Sequence, residues 1–173
     1  MKKHSSIGCC GIDCGLCPRY NTISDSACPG CGAPNFNHKH PSCGIMACCS
    51  VKKELETCAD CQEFPCRRFD GEKEGNDSFV THQSIFTNLA SIKNGGIEPF
   101  ISQQQTRIEI LKYLLENFDD GRSKSFFCLS CALLPLENLS GLKGETSQLL
   151  NQSSLDIKEK NRVVRDKLQQ NAV

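Results

Sequence analysis

The spacing of apolar residues predicts helices in the C-terminal part of the chain. Ile85, Phe86, Leu89 and Ile92 recur at intervals of one, three and three residues, which places them on one face of a helix. The "NGG" at residues 94–96 follows directly and is a stop signal, because glycine favours the turn after a helix. The sequence therefore predicts a helix that ends at these glycines.

Three more helices are predicted further along. A longer helix precedes the "DDG" of residues 119–121, and "SKSFFCLSCALLPLENL" predicts a short buried helix before Pro135. A last amphipathic segment runs from Leu155 to Leu168, with Val164 facing inward. The apolar face of the longer helix is marked by Ile97, Phe100, Ile101, Ile108, Leu111, Leu115 and Phe118.

The N-terminal part has a different pattern. Residues 9–66 are dense in Gly, Pro, Asn and Ser, and "PGCGAPNFNHKHPSCG" reads as a loop. Such a segment has too little apolar surface to offset its conformational entropy, so bound metal is the expected substitute. The polar "GEKEGNDS" of residues 71–78 is a predicted linker. We expect an α plus irregular fold: a small, metal-stapled module over 9–70 with little regular structure, and a helical region over 79–173 packed on it.

Cysteine is the most informative residue type in the chain. Twelve of the 14 cysteines lie before residue 67, in units with the spacing of metal ligands. Two residues between thiolates allow a turn whose sulfurs point at one ion, and several such units within one segment are strong support for a metal site. The predicted ligands are Cys10, Cys14, Cys17, Cys28, Cys31, Cys43, Cys48, Cys58, Cys61 and Cys66.

Three kinds of thiol chemistry compete for these residues. The start "MKKHSSIGCC" is not followed by an apolar run, so we expect no signal peptide and a cytoplasmic protein, in which disulfides are rare. The C-x3-C-x2-C run ending at Cys17, with Pro18 after it, is typical of iron–sulfur proteins. The other units are spread out in pairs and triplets, which favours zinc. We expect Zn2+, as two ions, with a [4Fe–4S] cluster in an electron-transfer protein of an anaerobe as the alternative.

The pairing of ligands is open, and two groupings suit the spacing. The first group has the two-plus-two arrangement of a four-thiolate zinc site and consists of Cys28, Cys31, Cys43 and Cys48. The second group needs one thiol from the Cys10, Cys14 and Cys17 unit to complete Cys58, Cys61 and Cys66. His38 and His40 are alternative ligands or exposed loop residues. Cys9 and Cys49 each adjoin a better-placed cysteine and are expected to be spare.

The helical part offers little chemistry. Cys128 and Cys131 form another C-x2-C unit, but on a helix they share a buried face, so we expect them to pack in the core. His82 is expected to be a surface residue at the start of a helix. We predict no catalytic residue, and Asp13, Asp60 and Glu63 are expected to cap turns among the thiols.

Charge narrows the class of partner. The chain has 20 basic and 20 acidic residues, and residues 1–70 hold eight Lys and Arg against seven Asp and Glu. Nucleic-acid binding is driven by a basic excess, which is missing here. No apolar run approaches the roughly 18 residues of a membrane span. We therefore expect a non-enzymatic module that binds a protein partner.

Four stretches resemble a known family: "CGIDCGLCPRY", "CPGCG", "CGIMAC" and "ETCADCQEFPCRRF". They are similar to the prokaryotic family called domain of unknown function 3795, whose members are cysteine-rich and expected to bind zinc. The likeness covers residues 9–70, and "GRSKSFFCLSCALLPLE" resembles the longer members. It implies metal binding through the same ten cysteines and implies no reaction, because the family has no established activity.

Overall fold

The computed structural model describes residues 2–70 and 82–171, and the predicted linker at 71–78 lies outside them. Among the described residues the structure is helical and has no strand, with only short turns in the N-terminal region, which confirms the expected fold class. Residue contacts divide the chain into two compact units, Met1–Gln104 and Gln105–Val173. The first predicted helix therefore lies in the same unit as the cysteine-rich segment.

Short helical turns and loops make up most of the first unit. Helix α1 (Phe36–Lys39) lies within the stretch predicted as loop, and α2 (Gly44–Met46) continues into a π-helical turn, Ala47–Lys52. Three 3-10 turns are formed by residues Cys14–Leu16, Cys58–Asp60 and Arg67–Phe69. The core of this unit mixes thiols with apolar side chains, so cysteine supplies part of the buried surface; its buried members include Ile7, Cys9, Cys28, Cys31, Phe36, Met46, Cys49, Cys58, Phe69, Ile85, Leu89 and Ile92.

Helix α3 (Ile85–Gly95) lies against the first cysteine loop at Gly11. It ends where the sequence predicts, with Gly96 at a φ of 87°. The buried Asn88 side chain donates hydrogen bonds from Nδ2 to the Gly11 carbonyl at 2.8 Å and to Asp13 Oδ2 at 2.9 Å. Gly11 has a φ of 89°, and a Cβ there would lie 2.6 Å from the carbonyl oxygen of Ile85. The loop and the helix thus fit only with glycine at this position.

Glu56 holds the first residues of the chain against the loop that precedes Cys58. Its carboxylate accepts the backbone N–H of Lys3 at 3.0 Å and of His4 at 2.6 Å, and it pairs with the Lys2 ammonium at 3.4 Å. The pKa of Glu56 is lowered, because these donors outweigh the burial that would raise it. The N-terminus is therefore part of the first unit's fold.

The second unit contains the remaining helices. Helix α4 (Ile97–Phe118) begins in the first unit, and α5 (Lys124–Leu133) and α8 (Ile157–Gln170) follow as predicted. A capping box of Asp156 and Glu159 starts α8. Two helices are additional to the prediction, α6 (Leu136–Ser140) and α7 (Leu142–Leu150).

Buried residues confirm most of the predicted helix faces in the second unit. Val164 is fully buried, as expected, and on α4 Leu114 is fully buried where the sequence predicts Leu115. Cys128 and Cys131 lie on α5 at 2% and 0% exposure, which confirms that they share a buried helix face. No helix of the described residues is long and apolar enough to cross a membrane.

Candidate metal centre

Two cavities in the first unit collect the cysteines. The larger has a volume of about 380 Å³ and the smaller about 20 Å³, and Ile45 lines both. The larger is lined by Cys9, Cys10, Cys14, Cys17, Cys28, Cys31 and Cys43. The smaller is lined by Cys48, Cys49, Cys58, Cys61 and Cys66. The ten predicted ligands are thus divided into a set of six and a set of four.

Backbone hydrogen bonds place the thiols of the larger cavity. The "CPGC" turn is attached at both ends, because Cys28 donates its N–H to Arg19 O at 3.0 Å and Cys31 donates to Ser5 O at 3.0 Å. Gly30, between these two cysteines, has a φ of 90°, and a Cβ there would lie 2.3 Å from Ser5 O. Only glycine therefore allows the turn to approach the N-terminal segment this closely.

Burial raises the pKa of two thiols that line the larger cavity, Cys14 and Cys17. It raises the pKa of Cys14 well above the usual value, and the neighbouring Cys31 and Cys10 add to the shift. It also raises the pKa of Cys17, although the N–H groups of Tyr20 and Arg19 hydrogen-bond to that sulfur and oppose the shift. A thiol in this state becomes a thiolate when a metal cation supplies the compensating charge.

The smaller cavity has basic side chains beside its thiols. Lys53 Nζ lies 3.3 Å from Cys61 Sγ and 2.8 Å from Glu63 Oε1, and its pKa is raised, first by Glu63 and then by Cys61. Arg68 also lines this cavity. The Thr57 hydroxyl caps the 3-10 turn that carries Cys58, by accepting the Ala59 N–H at 3.3 Å. Positive charge is therefore available to offset thiolates at this site.

The structure groups the cysteines differently from both pairings that the sequence suggests. Cys43 lines the larger cavity together with Cys28 and Cys31, whereas Cys48 lines the smaller, so neither cavity contains all four thiols of the first grouping. Cys43 is the N-cap of α2, and Cys48 lies in the π-helical turn that follows α2. The fourth predicted ligand beside the unit that begins at Cys58 is Cys48, instead of a thiol from Cys10, Cys14 or Cys17.

Cys9 and Cys49 lie between the two sets of thiols. They are 1% and 2% exposed, and Cys9 Sγ lies 3.8 Å from Cys31 Sγ. Cys31 lowers the pKa of Cys9, but a hydrogen bond with Cys49 and burial outweigh it and raise the pKa to about 12. The pKa of Cys49 is also raised to about 12, first by a hydrogen bond with Cys58. The four thiols therefore form a buried line, Cys31–Cys9–Cys49–Cys58.

The histidines stand at the edge of these sites. His38 and His40 are both exposed, which agrees with the prediction that they are exposed residues. His40 lines the larger cavity and stacks on Phe36 with ring centroids 4.5 Å apart, whereas His38 lies in a separate groove. His82 is half-buried and also lines the larger cavity. Among the acids, Asp13 is buried and bonded to Asn88, and Asp60 and Glu63 are exposed.

The thiols surround the cavities without converging on one point. Within residues 2–70 and 82–171, no group of three or more His, Cys, Asp and Glu side chains is close enough to hold a metal ion. The ten cysteines that the sequence identifies as metal ligands remain a prediction. The cavities show which of these cysteines line the same space.

Comparison with known families agrees with the position of these cavities. Residues 6–71 match the family Protein of unknown function (DUF3795). This is the family that the cysteine motifs resemble, and the DUF3795 segment contains every cysteine that lines either cavity. Helices α3 to α8 lie outside it. A search of curated proteins and a search of solved structures found no match.

Proposed function

We propose that the DUF3795 segment is a metal-binding module that is held together by two thiolate centres and has a structural, non-enzymatic role. The observation that supports this most directly is the division of the ten predicted ligands between two cavities. Such a module belongs in a reducing compartment, where its thiols stay free to bind metal. A protein partner, as the charge balance suggests, is part of the proposal.

The smaller centre suits one zinc ion. Four thiols are the complement of a closed, tetrahedral structural site, and they are Cys48, Cys58, Cys61 and Cys66. A cavity of about 20 Å³ has room for a single ion and no larger group. Four thiolates around Zn2+ leave a charge of minus two, which Lys53 and Arg68 offset only in part, because Lys53 also pairs with Glu63.

The larger centre has more donors and more space. It has six predicted ligands, and one tetrahedral zinc ion needs only four of them. The second of the two expected zinc ions can therefore bind here, with two thiols left over. The volume of about 380 Å³ and the C-x3-C-x2-C run favour a second candidate here, a [4Fe–4S] cluster. In that case the protein would take part in electron transfer, and the smaller zinc centre would be purely structural.

Elemental analysis of the untagged full chain, purified anaerobically with a thiol reductant, tests the proposal. We expect zinc at both centres, with Cys61→Ser and Cys14→Ser each removing the metal of one centre only. Cys131→Ala is the matched control, since this buried thiol lies in the second unit. Iron with absorption near roughly 400 nm would select the cluster at the larger centre. The proposal would be refuted if the purified protein held less than one metal ion per chain and stayed folded when a chelator was added.

A further inference from the structure

The line of thiols from Cys31 to Cys58 passes from one cavity to the other. Cys31 and Cys9 line the larger cavity and Cys49 and Cys58 the smaller, and Cys9 contacts Cys31 while Cys49 contacts Cys58. Both intermediate thiols are more deeply buried than either of the predicted ligands that they contact. Their position therefore joins the two candidate centres inside one core.

The backbone of Cys9 makes the same connection. Its N–H donates to Cys31 Sγ at 3.5 Å, and its carbonyl accepts the N–H of Cys58 at 2.8 Å. The Cys49 sulfur also interacts with Cys58 and lies 3.5 Å from Leu55 O, so its single S–H has two acceptors within reach. The main chain of Cys9 therefore fixes its position beside Cys31 and Cys58, and the sulfurs of Cys9 and Cys49 make the side-chain contacts between them.

We infer that Cys9 and Cys49 are positioning residues that couple the two metal centres, so that metal at one centre raises the affinity of the other. This inference rests on the proposed function. Outer-sphere hydrogen bonds orient metal ligands, and here one pair of residues orients a ligand of each centre. A metal ion at either centre fixes the ligand of that centre, Cys31 or Cys58. The second metal ion then binds with a smaller loss of conformational entropy.

Cadmium-113 NMR of the full chain, loaded with 113Cd2+ as the probe and titrated with a chelator, measures each centre separately. Cys61→Ser removes the smaller centre. When this substitution is made in otherwise wild-type protein, we expect cadmium binding at the larger centre to weaken by at least about fivefold, the lower end of typical coupling. In a Cys9→Ala/Cys49→Ala background the same substitution should change that affinity by less than about twofold. Cys131→Ala serves as the control background and should keep the wild-type coupling.

Three results would overturn the inference. One is equal coupling in the wild type and the double variant. Another is loss of a whole cadmium equivalent from the double variant, which would make Cys9 or Cys49 a ligand; the 3.8 Å between Cys9 and Cys31 also suits two sulfurs on one zinc with bonds of about 2.3 Å. The third is full coupling in Cys49→Ala alone, a milder variant that leaves the Cys9 contacts in place. Protein that binds no cadmium at all would instead refute the proposed function.

Discussion

Asn88 connects helix α3 to the first cysteine loop, and its replacement should destabilise the first unit measurably. In Asn88→Ala the Gly11 carbonyl and the Asp13 carboxylate each lose a donor at 2.8 and 2.9 Å. A neutral hydrogen bond contributes about 0.5–1.5 kcal/mol and one to a charged group about 1.5–3 kcal/mol. Since Asn88 and Asp13 are 8% and 4% exposed, little water replaces the donor. We expect the free energy of unfolding to fall by about 2–4 kcal/mol.

Urea unfolding of the metal-loaded full chain provides the measurement. The chain has two tyrosines and no tryptophan, so in a Tyr113→Phe background the fluorescence of Tyr20 reports the first unit alone. Asn94→Ala is the matched control, because Asn94 is exposed on the same helix. A loss for Asn88→Ala of less than about 0.5 kcal/mol, the usual effect of a surface substitution, would refute the reasoning.

Two further predictions concern the thiols and their neighbours. Replacing Cys128 and Cys131 together by Ala should cost about 1–2 kcal/mol in thermal or urea unfolding and leave the metal count unchanged; loss of a metal equivalent would contradict the core assignment. Lys53→Gln should speed the release of metal from the smaller centre to a chelator, because Cys61 loses a charged donor at 3.3 Å. Lys52→Gln, on the exposed neighbour, should release metal at the wild-type rate, and equal rates for both variants would count against the role of Lys53.

Helix periodicity made much of the second unit predictable. Runs such as Ile108 to Phe118 have apolar residues at regular spacing and a clear stop, and the helices lie where the pattern places them. Helices α6 and α7 escaped prediction because Gly141 and Gly144 interrupt their sequence and read as turn formers. Their buried residues, Leu139 and Leu142, still lie at helical spacing, which a wider window would have detected.

The sequence predicts which cysteines are candidate ligands, but not which of them line the same cavity. Spacing identifies which thiols share a turn, as with the two cysteines of "CPGC", because that geometry is local. It does not fix which turns meet, since this depends on the short α and π turns between Cys43 and Cys48 and on the contact of Cys9 with Cys58. The doubled cysteines at 9–10 and 48–49 were the available signal: in each pair, one residue is a predicted ligand and its neighbour lies in the line between the cavities.

The division of the cysteines also sets an order of assembly during synthesis. Every cysteine that lines the larger cavity precedes residue 44, and every one that lines the smaller lies between residues 48 and 66. The two sets do not interleave along the chain. At roughly 5–20 residues per second, the last thiol of the second set leaves the ribosome about 1–5 s after the last of the first. The first set is therefore complete before the second set is, which lowers the risk of cross-pairing between the sets.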